Sequence, residues 1–224
     1  MNDKKLAKKE HAIGRRKRSS QQSEPNPNHP KKGSIIKVEP IRDLRAIKRI
    51  KKLREDSSLF WQRDFCLFTL GVNTAYRANE LLSISVGQVD YLKPGDRIEL
   101  LQSKTKKRRG AILNKTVAAA LDQWLTVHPY PDRSSPLFIS SRGFEALTVP
   151  TVSRMVKLWC EEAGLRGNYG SHTLRKTWGY HQLRKNNVPI PLLMEAYGHS
   201  TQRQTLEYLC IESNEIEELY ALEL

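Results

Sequence analysis

The sequence predicts a mostly helical fold with one small antiparallel sheet, in the α+β class. Three observations lead there. From Val38 onward, segment after segment carries apolar residues at helical spacing, several opened by proline or closed before glycine. A single pair of short apolar runs flanks a Lys/Gly-containing turn, the pattern of a β-hairpin. A chain of 224 residues can also bury a real core, as one domain or a little more.

The elements follow in order. After Pro40, IRDLRAIKRIKKLRED spaces Ile41, Leu44, Ile47, Ile50 and Leu53 by three, with basic residues between them. That predicts an amphipathic helix with proline at its start. FWQRDFCLFTLGV is apolar nearly all round and reads as a buried helix, and ANELLSISV as a short helix running into a loop. RIELLQ, the basic turn SKTKKRRG and AILN form the predicted hairpin with a charged tip. KTVAAALDQWLTV is a helix closed by the turn HPYPDRSSP, and LFIS is a short strand. A helix runs from Thr148 or Pro150 to about Ala163 and ends before Gly164. SHTLRKTWGYHQLRKNN is a long helix. Pro189 starts another that ends at Gly198, TQRQTLEYLC is the next, and SNEIEELYALEL is the last.

Charge narrows the partner. The chain carries 38 Lys+Arg against 24 Asp+Glu, a formal +14. That favours a polyanion, most simply nucleic acid, although solubility alone also accounts for a basic balance. Residues 1–37 hold 11 Lys+Arg and three acids and include SSQQSEPNPNHP, with few large apolar side chains. They are expected to be a disordered basic arm, either a solvated tail or a segment lying along DNA phosphates. Residues 38–224 are expected to form the folded domain. Cys66, Cys160 and Cys210 are odd in number and lack CxxC spacing, so neither a disulfide framework nor a zinc site is indicated. No apolar run approaches the roughly 18 residues of a membrane span, and the basic N-terminus lacks a signal peptide's apolar stretch. The expectation is a cytoplasmic protein associated with the nucleoid, with no membrane partner.

Six polar residues stand out: Arg77, Lys104, His172, Arg175, His199 and Tyr208. Arginines, a lysine and histidines can hold and protonate a phosphodiester, and a tyrosine can attack it. No metal-ligand cluster or nucleotide motif accompanies them, so no metal or cofactor is expected. Each residue alone is weak. His-x-x-Arg occurs twice, as His172 with Arg175 and His181 with Arg184. At about 100° per residue the two pairs fall on opposite helix faces, so only one can line a given site. Ser171 to Thr177 opens its helix, where backbone N–H groups already favour an anion. Glu80 lies one turn from Arg77, as either support or an ordinary surface ion pair. Lys104 shares its turn with Lys106 and Lys107.

Together, the order and context of these residues resemble the catalytic domain of the tyrosine recombinase, or phage integrase, family, from about Val38 to the C-terminus. TAYRANELLSI resembles the family's first arginine box, SHTLRKT its His-x-x-Arg box and YGHSTQRQTLEYL its Gly-His to tyrosine segment. LQSKTKKRRGAILN resembles the hairpin carrying its lysine, and Gln-Ser-Lys-Thr favours Lys104 over its neighbours. The resemblance implies that Arg77 and Arg175 clamp the scissile phosphate and that Lys104 protonates the 5′-hydroxyl leaving group. It further implies that His172 handles protons near the nucleophile, that His199 donates to a non-bridging oxygen, and that Tyr208 forms a 3′-phosphotyrosyl bond. Glu80 would support the first arginine from behind. Lys106, Lys107, Arg108 and Lys176 are expected to meet DNA.

The chemistry suits those roles. Two guanidiniums are planar, permanently charged donors for the spread charge of a phosphoryl transition state. Tyrosine's reference pKa near 10 leaves about one phenol in a thousand ionised at pH 7, so a cationic pocket and a nearby base must help. A covalent intermediate conserves the phosphodiester energy, so resealing needs no ATP.

The chain departs from the common pattern in two ways. Only the disordered-looking tail is expected where a helical DNA-binding domain usually precedes the catalytic one, which leaves open whether a separate protein replaces that domain; an accessory DNA-bending or directionality protein is a further candidate partner. Tyr76 stands where Leu, Met or a similar residue usually precedes the arginine, and is expected to be tolerated. From Ile211 to Leu224 there are five glutamates and no basic residue, with Ile216, Leu219, Tyr220 and Leu224 on one face. That helix, 213–224, packs either on its own domain or on a neighbouring protomer; the resemblance implies exchange within a tetramer on two DNA sites. The expected function is a site-specific recombinase of integrase, resolvase or invertase type. The rivals are a monomeric type IB topoisomerase-like nickase-ligase, a non-catalytic DNA-binding relative, and a generic basic protein that binds RNA.

Overall fold

A computed structural model describes residues 37–54, 60–101, 108–143 and 145–211. The expectations for residues 1–36, for Lys104, Lys106 and Lys107, and for the helix 213–224 lie outside these. The described chain is eight α-helices and one hairpin: α1 (Leu44–Arg54), α2 (Trp61–Asn73), α3 (Ala78–Leu82), β1 (Arg97–Leu101), β2 (Arg108–Ile112), α4 (Lys115–Leu125), α5 (Val149–Glu162), α6 (Ser171–Arg184), α7 (Ile190–Tyr197) and α8 (Gln202–Leu209). It is mostly helical with a two-stranded antiparallel sheet in which Arg97 pairs with Ile112 and Leu101 with Arg108.

The core forms around α2, which packs on α1, α4 and α6. Phe68 meets Trp159 of α5 edge-on at 6.0 Å, and Trp124 of α4 donates its indole N–H to Leu137 O at 2.7 Å. Gly71 lets α2 and α6 approach: a Cβ there would stand 2.6 Å from Leu174 Cδ1. α7 and α8 rest on a separate small cluster of Ala75, Leu193, Tyr197 and Leu209, with Trp178 and Tyr208 at its edge.

Three boundaries differ from expectation. α1 begins at Leu44, because Ile41 N–H is given to Thr177 Oγ1 at 2.8 Å and Asp43 Oδ1 caps Arg45 N–H at 2.7 Å. Strict spacing by three drifts about 60° per step around a helix. Ile50 and Ala46 are therefore buried while Leu44 and Leu53 are each 41% exposed. β2 starts at Arg108, so Arg108, Arg109 and Gly110 belong to the strand and not to the turn. LFIS forms no ladder: it makes one isolated bridge, Ile139 with Ala146, and Pro136 just before it makes another with Ser85.

The segment 38–41 runs extended along α6. Thr173 Oγ1 donates to Glu39 O at 2.9 Å, and His181 Nε2 lies 2.9 Å from Ile41 O. Thr173, Thr177 and His181 sit at i, i+4 and i+8, on one stripe of the helix. The second His-x-x-Arg histidine is thus a structural partner of the backbone.

Candidate active site

Five of the six singled-out residues surround one cleft, each delivered by a different local device. Arg77 immediately precedes α3. Glu80, three residues on, accepts its backbone N–H at 2.7 Å (Oε2) and its Nη1 at 3.1 Å (Oε1), half of a capping box. Glu80 is 6% exposed and Arg77 is 41% exposed, so the carboxylate is sealed behind an arginine that reaches solvent. Arg175 lies in the buried middle of α6. Its Nη1 donates to Ala75 O and its Nη2 to Tyr197 O at 2.9 Å. Each terminal nitrogen keeps a second N–H. Burial pulls the Arg175 pKa down to about 10, against the opposing influence of Tyr208. The group remains cationic at pH 7.

Tyr208 is near the end of α8. Thr201 caps this helix at Gln204 N–H (3.1 Å), and Cys210 closes it in the left-handed conformation with φ 57°. The Tyr208 hydroxyl is 3.4 Å from His172 Nδ1, at the exposed first turn of α6. The Arg175 guanidinium is 5.9 Å from the phenol centroid, and Lys176 Nζ is 4.8 Å from it. Burial raises the Tyr208 pKa, and Arg175, Arg77 and Arg109 oppose the rise. Burial and then Arg175, Lys176 and Arg77 lower that of His172, leaving a neutral imidazole beside the phenol.

His199 follows Gly198, which ends α7 in the left-handed conformation (φ 68°) and turns the chain back over the cleft. Its ring stacks on Tyr197 (5.0 Å, 19°) and meets Tyr208 edge-on at 5.2 Å. Nδ1 is 3.0 Å from Thr205 Oγ1. Burial, then Arg175, Arg77 and Arg109, pull its pKa down to about 4, so it is neutral at pH 7.

One further expectation changes here. Lys176, expected at the DNA surface, is 6% exposed, and its Nζ is 3.3 Å from Cys210 Sγ. It lies under the turn that follows Tyr208. Arg108 is exposed and pairs with Glu99 Oε2 at 3.3 Å across the hairpin. Sequence reasoning gave no role to three residues. Tyr197 is fully buried, carries Arg175 over its ring at 4.6 Å and donates its hydroxyl to Arg175 O at 2.9 Å. Tyr76 is also buried and ties the Arg77 turn to the hairpin through a 2.7 Å hydrogen bond to Ile98 O. This fills a position where only tolerance was expected. Arg109 is the third. The signal for Tyr197 was its place directly before Gly198-His199; the others had none.

Among the described residues, no group of three His, Cys, Asp or Glu could hold a metal ion, and no helix is long and apolar enough to cross a membrane.

The phage integrase family pattern matches residues 45–215. The chain is 30% identical over 172 residues to tyrosine recombinase XerC of Caldanaerobacter subterraneus subsp. tengcongensis, covering 75% of this chain and 47% of that protein. It is 28% identical over 177 residues to the probable integrase/recombinase YoeC of Bacillus subtilis, covering 79% of this chain and 92% of that one. The chain thus spans about half the length of the XerC relatives it matches. Among solved structures, XerA recombinase superposes with a TM-score of 0.66 at 20% identity, covering 85% of this chain and 66% of that one. The catalytic domain of bacteriophage HP1 integrase gives 0.54 at 18% identity, covering 83% and 95%. Both show a shared fold.

Proposed function

The chain belongs to the phage integrase family, and from that premise we propose that it is a site-specific tyrosine recombinase that cuts and rejoins DNA through Tyr208. The observation that carries this is one cleft, formed within one chain. It holds the Tyr208 hydroxyl 3.4 Å from a histidine nitrogen, beside a buried arginine whose guanidinium is fixed by two backbone carbonyls.

The steps follow from the groups. The N–H groups of Arg175 that the two carbonyls leave over, beside Tyr208, and the exposed guanidinium of Arg77 bind the non-bridging oxygens of a phosphodiester. With its own proton on Nε2, His172 accepts the phenol proton at Nδ1 as Tyr208 Oη attacks phosphorus. The P–O5′ bond breaks, and Lys104 gives a proton to the departing 5′-oxygen. With Thr205 donating to Nδ1, His199 keeps Nε2–H to donate to a non-bridging oxygen. A 5′-hydroxyl from a second strand reverses these steps and reseals the backbone without ATP.

Double-stranded DNA as substrate accords with the net charge of +14 and with the DNA-bound relative XerH, solved on its difH substrate (TM-score 0.64, 22% identity). On this reading residues 1–37 are a basic arm that adds salt-sensitive affinity, and residues 38–224 are the catalytic domain. Helix 213–224 docks on a neighbouring protomer in a tetramer on two sites, and the enzyme works in the cytoplasm on the nucleoid. Lys106, Lys107 and Arg108 would meet phosphates near the cut.

Covalent trapping tests the core of this. The protein is incubated with fragmented genomic DNA from its source and quenched with SDS, and attached DNA is sequenced beside a Tyr208→Phe control. Adducts with the native protein only, at a few sites, are expected. Scattered adducts would favour a topoisomerase-like enzyme, and DNA bound without any adduct would remove the mechanism's main support.

A further inference from the structure

We propose that Arg109 is a positioning residue of the phosphate site. Across the Glu80 carboxylate it fixes the spacing of Arg77 and Arg175 and leaves the cleft with surplus positive charge. The identity of the bound anion as DNA phosphate rests on the recombinase reading above.

Arg109 sits on β2, opposite Leu100. Its side chain is 13% exposed, and both terminal nitrogens are buried with no hydrogen-bond partner among the described residues. Its nearest anion is Glu80 Oε2, 3.8 Å from Nη1, and its guanidinium lies 6.0 Å from the Tyr76 ring centroid. The same Oε2 accepts the Arg77 N–H at 2.7 Å and stands 4.0 Å from Arg175 Nη1. One sealed carboxylate is therefore shared by guanidiniums from the start of α3, from β2 and from α6.

A buried cation without hydrogen bonds is costly, and its removal here leaves no uncompensated carboxylate, because Glu80 keeps its bonds to Arg77 and its approach to Arg175. Fold stability therefore does not account for Arg109, whereas its charge does. With two guanidiniums, Glu80 would be free to close on Arg175 as a full ion pair and draw it from the phosphate. A third, competing for Oε2, holds Arg175 at 4.0 Å with its remaining N–H groups available. Three cations against one carboxylate also leave the cluster positive after it has taken up a phosphodiester anion. Tyr76 belongs to the same device, because its hydrogen bond to Ile98 O anchors the hairpin that carries Arg109.

The test uses Arg109→Met and Arg109→Lys in the full chain. Without DNA, the His199 ring is titrated by NMR, its signal assigned through His199→Gln, and Tm is measured. Around that ring stand Arg175, Arg77, Arg109, Tyr197 and Tyr208. Arg109→Met should keep or raise Tm and move the His199 midpoint up from about 4, while Arg109→Lys should hold the midpoint near the native one. An unmoved midpoint in Arg109→Met overturns the proposal. With DNA, the duplex recovered by trapping is offered with a phosphate or a methylphosphonate at the cut position. Arg109→Met should slow cleavage of the phosphate by about a hundredfold, as a misplaced clamp does, and cleavage of the uncharged analogue far less. Equal slowing on both, together with a lower Tm, marks a merely structural residue and overturns the proposal. If the native protein forms no adduct, the recombinase reading fails, and the DNA-free titration still tests whether Arg109 adds to the positive charge of the cleft, an unmoved midpoint overturning the proposal.

Discussion

Gly179 on α6 faces Tyr197, and a substitution there should disturb both the fold and the cleft. A Cβ at this position would overlap the Tyr197 hydroxyl oxygen and stand 2.7 Å from Cζ and 2.8 Å from Cε2. Tyr197 is fully buried and cannot swing out. In Gly179→Ala, overpacking costs about 1–3 kcal/mol. Loss of the bond from Tyr197 to the Arg175 carbonyl costs about 1 kcal/mol. Alanine's better helix propensity returns about 1 kcal/mol. The net is a loss of about 2 kcal/mol, and for a domain of this size a Tm lower by about 4–8 °C. Tyr197→Phe alone should cost about 1 kcal/mol, because the Arg175 carbonyl still accepts within the helix. In the Tyr197→Phe background the shortest clash is gone but the ring carbons stay too close, so Gly179→Ala should cost about 1 kcal/mol less than in the native protein. Urea unfolding of the native protein, the two single variants and the double variant measures this coupling. Costs that add to within about 0.5 kcal/mol would show that the methyl never meets the hydroxyl, and the packing argument would fail. Gly179→Ala should also form adducts more slowly than its folded fraction allows, since Arg175 and His199 both rest on the displaced ring.

Acid should destabilise the protein from an unusually high pH. Burial is the first cause lowering the pKa of His128, His172, His181 and His199, the last to about 4. These groups take protons more readily when unfolded, so their contribution is intact above about pH 6.5 and is lost as pH falls towards 4. Tm should decline below about pH 6.5, with a shallower slope in His199→Gln; a flat Tm down to about pH 5 would contradict this. Removal of residues 213–224 should impair assembly on DNA more than DNA binding, read by sizing and by gel shift; equal losses would argue that this helix packs on its own domain.

Much of this site was legible because its motifs are local. Arg77 with Glu80, and His172 with Arg175, each fall within one helical turn, and that periodicity decides which side chains share a face. The left-handed Gly198 and the Thr201 cap are likewise written in short stretches of sequence. Errors arose where a backbone group found a distant partner. Spacing by three from Ile41 suggested a helix, yet Thr177 on α6 claims the Ile41 N–H. Lys176 looked like another surface cation of a basic helix, yet α8 folds over it and places the Tyr208 ring 4.8 Å away.

Glu80 shows why the remainder could not be read in advance. Its bond to Arg77 follows from spacing, but its approaches to Arg109 and Arg175 exist only because the hairpin and α6 close on the same point. Arg109 sat in a run of basic residues, where the simplest reading is a solvated tip. What distinguishes it from Arg108 is strand alternation: the two neighbours point to opposite faces of β2. Arg108 therefore pairs with Glu99 in the open, and Arg109 turns inward toward the Glu80 carboxylate. Had the strand been placed one residue later, the inward charge would have been lost to the cleft. The start of β2 at Arg108, a boundary that periodicity missed, thus decides which cation of the basic run acts on the phosphate site.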